Sequence, residues 1–427
     1  MANNLDYSNI WELYGLKADP FTTDALVVYG GILPIECFIG RKNELQRLNK
    51  QFRSGSSRVL VIGDVGVGKT SFVNFSRSLA IKGGYFSHLK EIGVMGDWHT
   101  NEFIINTLQA IYSALTLESK ESLISEDSFK KLKSIVDFYN YEKGLRGISV
   151  AGFGLEYGSG RFSPPIMIPT NSLMELATKI VKEIHNKTGK DVILHYNNLE
   201  NLKEMDIRRL FEDLRDFFQM PHTHFVFVGN LITNGIIQGS QRVSSIFSDS
   251  IMINEMTFEE IEEVINKRLE LLKIENLNLV KPFDKSALDK LYNLYGGNIR
   301  NILNSLKEAI LASVINNPII LTDEDIARTL RQLVEERHFK ILVEKERQIL
   351  RYMANKEEIT NKSLATGTNT AQSNVSKYLK HLQNLGYVEV KRKSGKDKFW
   401  TVAPKIKWVL LKEPKQKHIV KYMPPKI

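Results

Sequence analysis

Cysteine is all but missing from this chain of 427 residues: Cys37 stands alone, which excludes an internal disulfide framework and fits a reducing compartment. Nor does any stretch approach 18 uninterrupted apolar residues, so neither a membrane span nor a membrane partner is expected. The opening residues MANNLDYSNIWELYG lack the basic start, apolar centre and small-residue cleavage site of a secretory signal, and the expected location is the cytoplasm. Metal-ligand spacing is missing too. His222 and His224 are two apart with no ligand cluster beside them in the sequence, and read as surface or turn histidines. No internal repeat is evident, and low-complexity sequence is confined to a Lys/Pro-rich tail.

What the chain does have is length enough for two to four domains and a charge that is unevenly placed. Residues 371–427 hold 14 Lys and Arg against Glu389, Asp397 and Glu413, a balance of +11. Since the whole chain carries +9, the other 370 residues sum to −2. A basic excess concentrated at one end is an electrostatic footprint for a polyanion, and it adds association with the nucleoid to the expected location.

Strand and helix patterns alternate from Phe38. RVLVI (58–62), YFSHLKEIGV (85–94), DVILHY (191–196) and HFVFVGN (224–230) read as strands, with helical spacing after Lys69 and over 101–115. Strands separated by helices imply an α/β fold with a parallel sheet. GLRGISVAGFGLEYGSGRFSPPIMIP (144–169) reads as a hairpin insertion around a Gly-Ser-Gly turn. The expected organisation is an N-terminal arm (1–35), an α/β core (36–255), an all-α lid (256–335), a winged helix-turn-helix (336–410) and a basic tail (411–427).

Gly63, Asp64, Val65, Gly66, Val67, Gly68, Lys69 and Thr70 match G-x-x-x-x-G-K-[ST] directly after a strand and before a helix, and Ser71 is expected to join them in binding the nucleotide. Glycines at these positions let backbone N–H groups curl around a phosphate, and the helix N-terminus adds a favourable dipole. Lys69 is suited to the β- and γ-phosphates and Thr70 to a Mg²⁺ ion, so ATP with Mg²⁺ is the expected ligand. In P-loop ATPases a second strand ends in an acidic pair. Here the strand Val192–Tyr196 ends in Asn197 and Asn198, which can hydrogen-bond a metal-bound water but bring no charge and no base. Nucleotide binding should survive this change; hydrolysis is open, with Glu200 available as a substitute base.

The C-terminal pattern is that of a winged helix. A first helix spans 346–353, a second Ile359–Ala365 and a third Thr370–Leu382, followed by a hairpin from Tyr387–Arg392 and Lys398–Val402. Val375, Leu379 and Leu382 at i, i+4, i+7 face inward, leaving Gln372, Ser373, Ser376, Lys377 and Lys380 on the outer face. Those side chains, with Lys393 and Lys396 at the hairpin tip, suit base edges and phosphates of duplex DNA.

These motifs resemble the AAA+ ATPases of the initiator clade, which includes archaeal and eukaryotic origin-recognition proteins and bacterial initiators, with transposition regulators and STAND switch ATPases as related groups. Phe38–Leu45 resembles their segment bordering adenine. Gly229-Asn230 resembles their first sensor and Gly296-Gly297-Asn298-Ile299-Arg300 their second, which implies Asn230 and Arg300 near the nucleotide. Gln241–Phe247 resembles the segment holding their arginine finger, which implies Arg242 at a neighbour's ATP and self-association through AAA+ contacts. Tyr14–Phe21 resembles a segment common in transposition and secretion ATPases. The resemblance implies a nucleotide-controlled switch on duplex DNA, in replication initiation or mobile-element regulation. A STAND-type signalling or defence regulator with little hydrolysis is the alternative.

Overall fold

The structure, a computed structural model, describes residues 9–150, 168–315, 317–394 and 397–412. The chain divides into two compact units, one from Thr23 to Leu272, the other formed by the residues before and after it.

The first unit holds α1 (Lys42–Arg53), β1 (Ser57–Ile62), α2 (Lys69–Lys82), β2 (Phe86–Ser87), β3 (Ile92–Gly93), α3 (Thr100–Leu117), α4 (Glu126–Val150) and α5 (Thr170–Thr188). It continues through β4 (Val192–Asn197), α6 (Glu204–Asp213), α7 (Arg215–Phe218), β5 (Thr223–Val228), α8 (Leu231–Gln238), α9 (Gln241–Ser244), β6 (Asp249–Met252) and α10 (Phe258–Leu272). Strand order is β2-β4-β5-β1-β6, every pair parallel, with β3 also paired to β4. Because β2 lies beside Val192–Ile193 and β3 beside Tyr196–Asn197, the two short strands are halves of one interrupted edge.

Every residue of β4 and β5 is buried, as a parallel strand covered by helices on both faces requires. Alternation then splits the core in two. Leu60, Ile62, Leu194, Tyr196, Phe225 and Phe227 face a cluster with α3 and α5, whereas Val59, Val61, Ile193, Val226 and Val228 face Leu48 and Phe52 of α1 and Phe72 of α2. Tyr196 stacks on Phe103 at 4.4 Å, and its hydroxyl lies 2.7 Å from Thr107 Oγ1.

The second unit opens with residues 9–22, where Trp11, Tyr14, Leu16 and Phe21 are buried. The Tyr14 hydroxyl bonds both the carbonyl and the amide of Ile319, at 3.2 and 3.1 Å, and Leu16 bridges Lys273 in antiparallel fashion. Three helices follow, α11 (Lys285–Tyr295), α12 (Ile299–Ser313) and α13 (Asp323–Val334). The winged-helix elements are α14 (Glu344–Ala354), β7 (Ile359–Thr360), α15 (Asn361–Gly367), α16 (Gln372–Asn384), β8 (Val388–Ser394) and β9 (Asp397–Val402), ordered β7-β9-β8 in an antiparallel sheet. A closing helix, α17 (Pro404–Lys412), packs on α14 and also on α11 and α13. Its Trp408 ring lies under Lys290 and Arg331, and Lys405 pairs with Glu308.

The compact units divide the chain within the expected arm, residues 9–22 going with the second and those from Thr23 with the first, and the first unit runs on through α10 to Leu272. Two expectations change. Residues 144–150, expected to begin a hairpin, continue α4; 151–167 lie outside the described residues. Ile359 and Thr360 form a strand, and the second winged-helix helix starts at Asn361, where the Thr360 side chain caps it.

Candidate functional site

The P-loop grows out of the buried end of β1. Gly63 sits at φ +154°, where an added Cβ would lie 2.2 Å from the Ile253 carbonyl oxygen, so only glycine fits. Gly66 and Gly68, at φ +91° and +93°, carry the loop into α2 through left-handed backbone that other residues resist. Lys69 is buried, and its ammonium donates to the carbonyls of Gly63 and Asp64 at 2.9 and 2.8 Å. The cation thus lies against the loop that is suited to phosphate.

Parallel pairing brings the ends of β1, β4 and β5 to the same edge of the sheet. There the Thr70 hydroxyl donates to Asn197 Oδ1 at 3.3 Å. This joins the last residue of the P-loop motif to the first of the two asparagines. Asn197 is buried, whereas Asn198 is exposed at φ +64° and opens a short 3-10 turn, Leu199–Asn201. Glu200 stands in that turn with Oε2 buried and unpaired. Asn230 follows β5 and caps α8: its Oδ1 accepts from the amide and the hydroxyl of Thr233, at 2.8 and 3.1 Å, leaving its NH₂ as the group that can face a ligand. Ser71 turns the other way, since its hydroxyl accepts from the Leu26 amide at 3.1 Å. Arg242 is exposed on α9. Arg300 belongs to the second unit, exposed in the first turn of α12, whose N-terminus Asn298 caps.

Two groups of residues have partners that the sequence did not indicate. Arg41, buried at φ +59°, donates to the carbonyl of Asn254 and, at 3.5 Å, to that of Val67 within the P-loop. Burial holds its pKa below the ordinary arginine value. Behind α2 lies a buried polar network. Arg77 donates to Asn74 Oδ1 at 2.9 Å, to Ser87 Oγ at 3.0 Å and to the His88 carbonyl. His195 Nδ1 lies 3.2 Å from the same Asn74 oxygen, and the His195 amide donates to His88 Nε2 at 2.8 Å. Burial, reinforced by Arg77, pushes both histidine pKa values well down, so both rings are neutral; Arg77 itself is lowered to about 10 by burial. A polar residue inside an apolar strand, as His195 is in VILHYN, was the one signal in the sequence.

In the second unit, Val375, Leu379 and Leu382 are fully buried and Gln372, Ser373, Ser376, Lys377 and Lys380 are exposed. Ser376 is not idle: its hydroxyl donates to the Gln372 carbonyl and accepts from Asn361 Nδ2, both at 3.0 Å. Asn361 Oδ1 accepts in turn from Trp400 Nε1 at 2.6 Å, so one side chain links α15, α16 and β9. Arg392 pairs with Glu358 and stacks on Phe399 at 3.5 Å, which consumes one wing cation internally. Lys396, expected at the tip, lies outside the described residues, as does the side chain of Lys393.

Residues 342–389 match the model of the winged helix-turn-helix DNA-binding family. No curated protein matches the chain. Among solved structures the chain is similar to the Aeropyrum pernix ORC2 protein in ADPNP–ADP complexes, at 15% identity and TM-score 0.47, over 92% of this chain and 97% of that one. It is also similar to the Aeropyrum pernix ORC1 protein in complex with DNA (14% identity, TM-score 0.43, 91% and 94% covered). The Thermotoga maritima RuvB Holliday junction branch migration motor is a third such structure (16% identity, TM-score 0.41, 83% and 90% covered). Likenesses this distant leave the functional argument to the residues themselves.

Proposed function

We propose that the chain is an ATP-binding switch acting on duplex DNA, with Mg²⁺ alongside the nucleotide and slow hydrolysis or none. The observation that carries the reading is the pairing, in one chain, of a P-loop closed by Lys69 and Thr70 with a winged helix whose α16 presents an exposed polar and basic face. Gly63–Thr70 would hold the phosphates, Thr70 would meet the metal, and bound Mg²⁺ would neutralise phosphate charge. Asn230 is proposed near the γ-phosphate, Arg300 on the nucleotide and Arg242 at a neighbouring copy's nucleotide, so that ATP favours self-association. Lys377, Lys380, Lys393 and Lys396 would contact phosphates, and Gln372, Ser373 and Ser376 base edges.

Asn197 supports the slow-hydrolysis half of the proposal, because it stands beside the Thr70 hydroxyl with no charge to hold a metal and no base to activate water. Replication initiation and mobile-element regulation are the contexts such a switch fits, and a low-hydrolysis signalling regulator shares the same site. Thermal unfolding with and without Mg·ATP tests the nucleotide half. Wild type should be stabilised and Lys69→Ala should lose the response. Equal responses from the two proteins would place ATP elsewhere.

A further inference from the structure

We propose that His185, Asp191 and His222 form a binding site for a borderline divalent cation, Zn²⁺ in the first place, at the end of the sheet opposite the P-loop. The sequence alone left His222 and His224 without companions, and the topology supplies them. His185 lies in the last turn of α5, Asp191 precedes the first residue of β4, and His222 precedes the first residue of β5. Val192 pairs with Thr223, and the Val192 amide donates to the His222 carbonyl at 2.9 Å, so Asp191 and His222 face each other across the ladder. One ligand atom from each of the three residues lies within 4.8 Å of the other two.

The arrangement suits shared coordination better than hydrogen bonding alone. His185 Nδ1 and His222 Nδ1 stand 2.9 and 3.2 Å from the same oxygen, Asp191 Oδ1. Neighbouring ligands on a tetrahedral ion with bonds of about 2.0–2.1 Å are separated by roughly 3.3 Å, which is comparable. The two imidazoles are stacked at 3.6 Å and 18°, with both Nδ1 atoms against the one carboxylate. His222 Nδ1 makes a hydrogen bond to the carboxylate, but His185 Nδ1 is buried and unpaired even at its short distance. The 2.9 Å approach is therefore not a well-aligned hydrogen bond. His224 stands beside the cluster: its side chain is fully buried, Nδ1 lies 2.8 Å from Ser57 Oγ, and Nε2 lies 3.4 Å from Asp191 Oδ2. His222 is 39% exposed, so the open side can admit water as a further ligand.

Two imidazole nitrogens and one carboxylate select Zn²⁺ or Co²⁺ over Mg²⁺, which prefers oxygen alone. An ion there would tie the end of α5 to the starts of β4 and β5. The site is distinct from the P-loop and needs no nucleotide. The test uses the full chain, stripped with chelator and kept free of nucleotide. Zn²⁺ should bind at one per chain and raise Tm by about 5 °C at a hundredfold excess over its Kd. Co²⁺ should give a visible absorption band that Zn²⁺ abolishes, and Mg²⁺ should do neither. His222→Asn, chosen because asparagine tolerates the φ of +59° at this position, and His185→Gln should each lose the band and the Tm rise while keeping the response to Mg·ATP. Absence of the Co²⁺ band in wild type would overturn the proposal whatever the variants do. So would Zn²⁺ binding of unchanged strength in both variants.

Discussion

At the scale of single residues, the proposal of slow hydrolysis rests on the contact between Thr70 and Asn197. An aspartate at 197 would put a charge within reach of a metal held by Thr70, and charge-assisted contacts are about twice as strong as neutral ones. Asn197→Asp should therefore tighten ATP binding in Mg²⁺ by about tenfold and leave binding in chelator unchanged or weaker, as read by calorimetry. Equal affinities in Mg²⁺ would detach Asn197 from the metal. The buried histidines behind α2 make a second prediction. His88 and His195 are neutral in the fold, with pKa values depressed well below 6.5, so the folded state cannot take up the protons that the unfolded chain binds. Their contribution is present above about pH 6.5 and lost as pH falls below it, at about 1.4 kcal/mol per pH unit for each histidine. Urea midpoints between pH 7 and 5 should show this decline, and His195→Gln should make it shallower. A decline of unchanged steepness in that variant would mean His195 takes no part.

Among the elements, the strands and α16 could be read in the sequence because their burial follows a simple period. SRVLVI and THFVFV are apolar runs that only a doubly covered parallel strand explains, and Val375, Leu379 and Leu382 repeat at helical spacing. The P-loop was equally plain, since its glycines have no other use. What could not be read depends on partners far along the chain. The two-residue strands β2 and β3 exist only because β4 lies beside them, and the division of the arm at Thr23 reflects where Tyr14 and Leu16 find partners. The histidine cluster is likewise invisible until β4 and β5 pair. Asn361 carries a prediction at this scale. Its replacement by alanine would strand the Trp400 Nε1–H, whose side chain is buried, and release Ser376 on α16. An unsatisfied buried donor costs about 1–3 kcal/mol, so Asn361→Ala should lower the stability of the winged helix by that amount. Asn361→Asp, which keeps the acceptor, should lose much less; chemical denaturation followed by tryptophan fluorescence reads both, and equal losses would show that the acceptor is not what matters.

For the whole molecule, the charge distribution sets how DNA binding should respond to salt. Each phosphate contact releases counterions, so the logarithm of affinity falls linearly with the logarithm of salt, by about 0.9 per contact. Neutralising the exposed Lys377 and Lys380 of α16 should weaken binding to all duplexes alike and flatten that slope. Changing Gln372 should instead alter preference among sequences and leave the slope nearly intact. A slope unmoved by the lysine pair would take α16 away from the phosphates. The central claim, however, is that one chain couples its nucleotide to its DNA. Coupling between two sites is reciprocal, so ATP must change DNA affinity by the factor by which DNA changes ATP affinity. The direct measurement is duplex binding by the full chain at one fixed salt concentration, with and without Mg·ATP, in wild type and in Lys69→Ala. The account predicts that Mg·ATP shifts the wild-type affinity by fivefold or more, roughly 1 kcal/mol of coupling, and leaves the variant unmoved. Identical DNA affinities with and without nucleotide, in a wild-type protein shown to bind ATP, would contradict it.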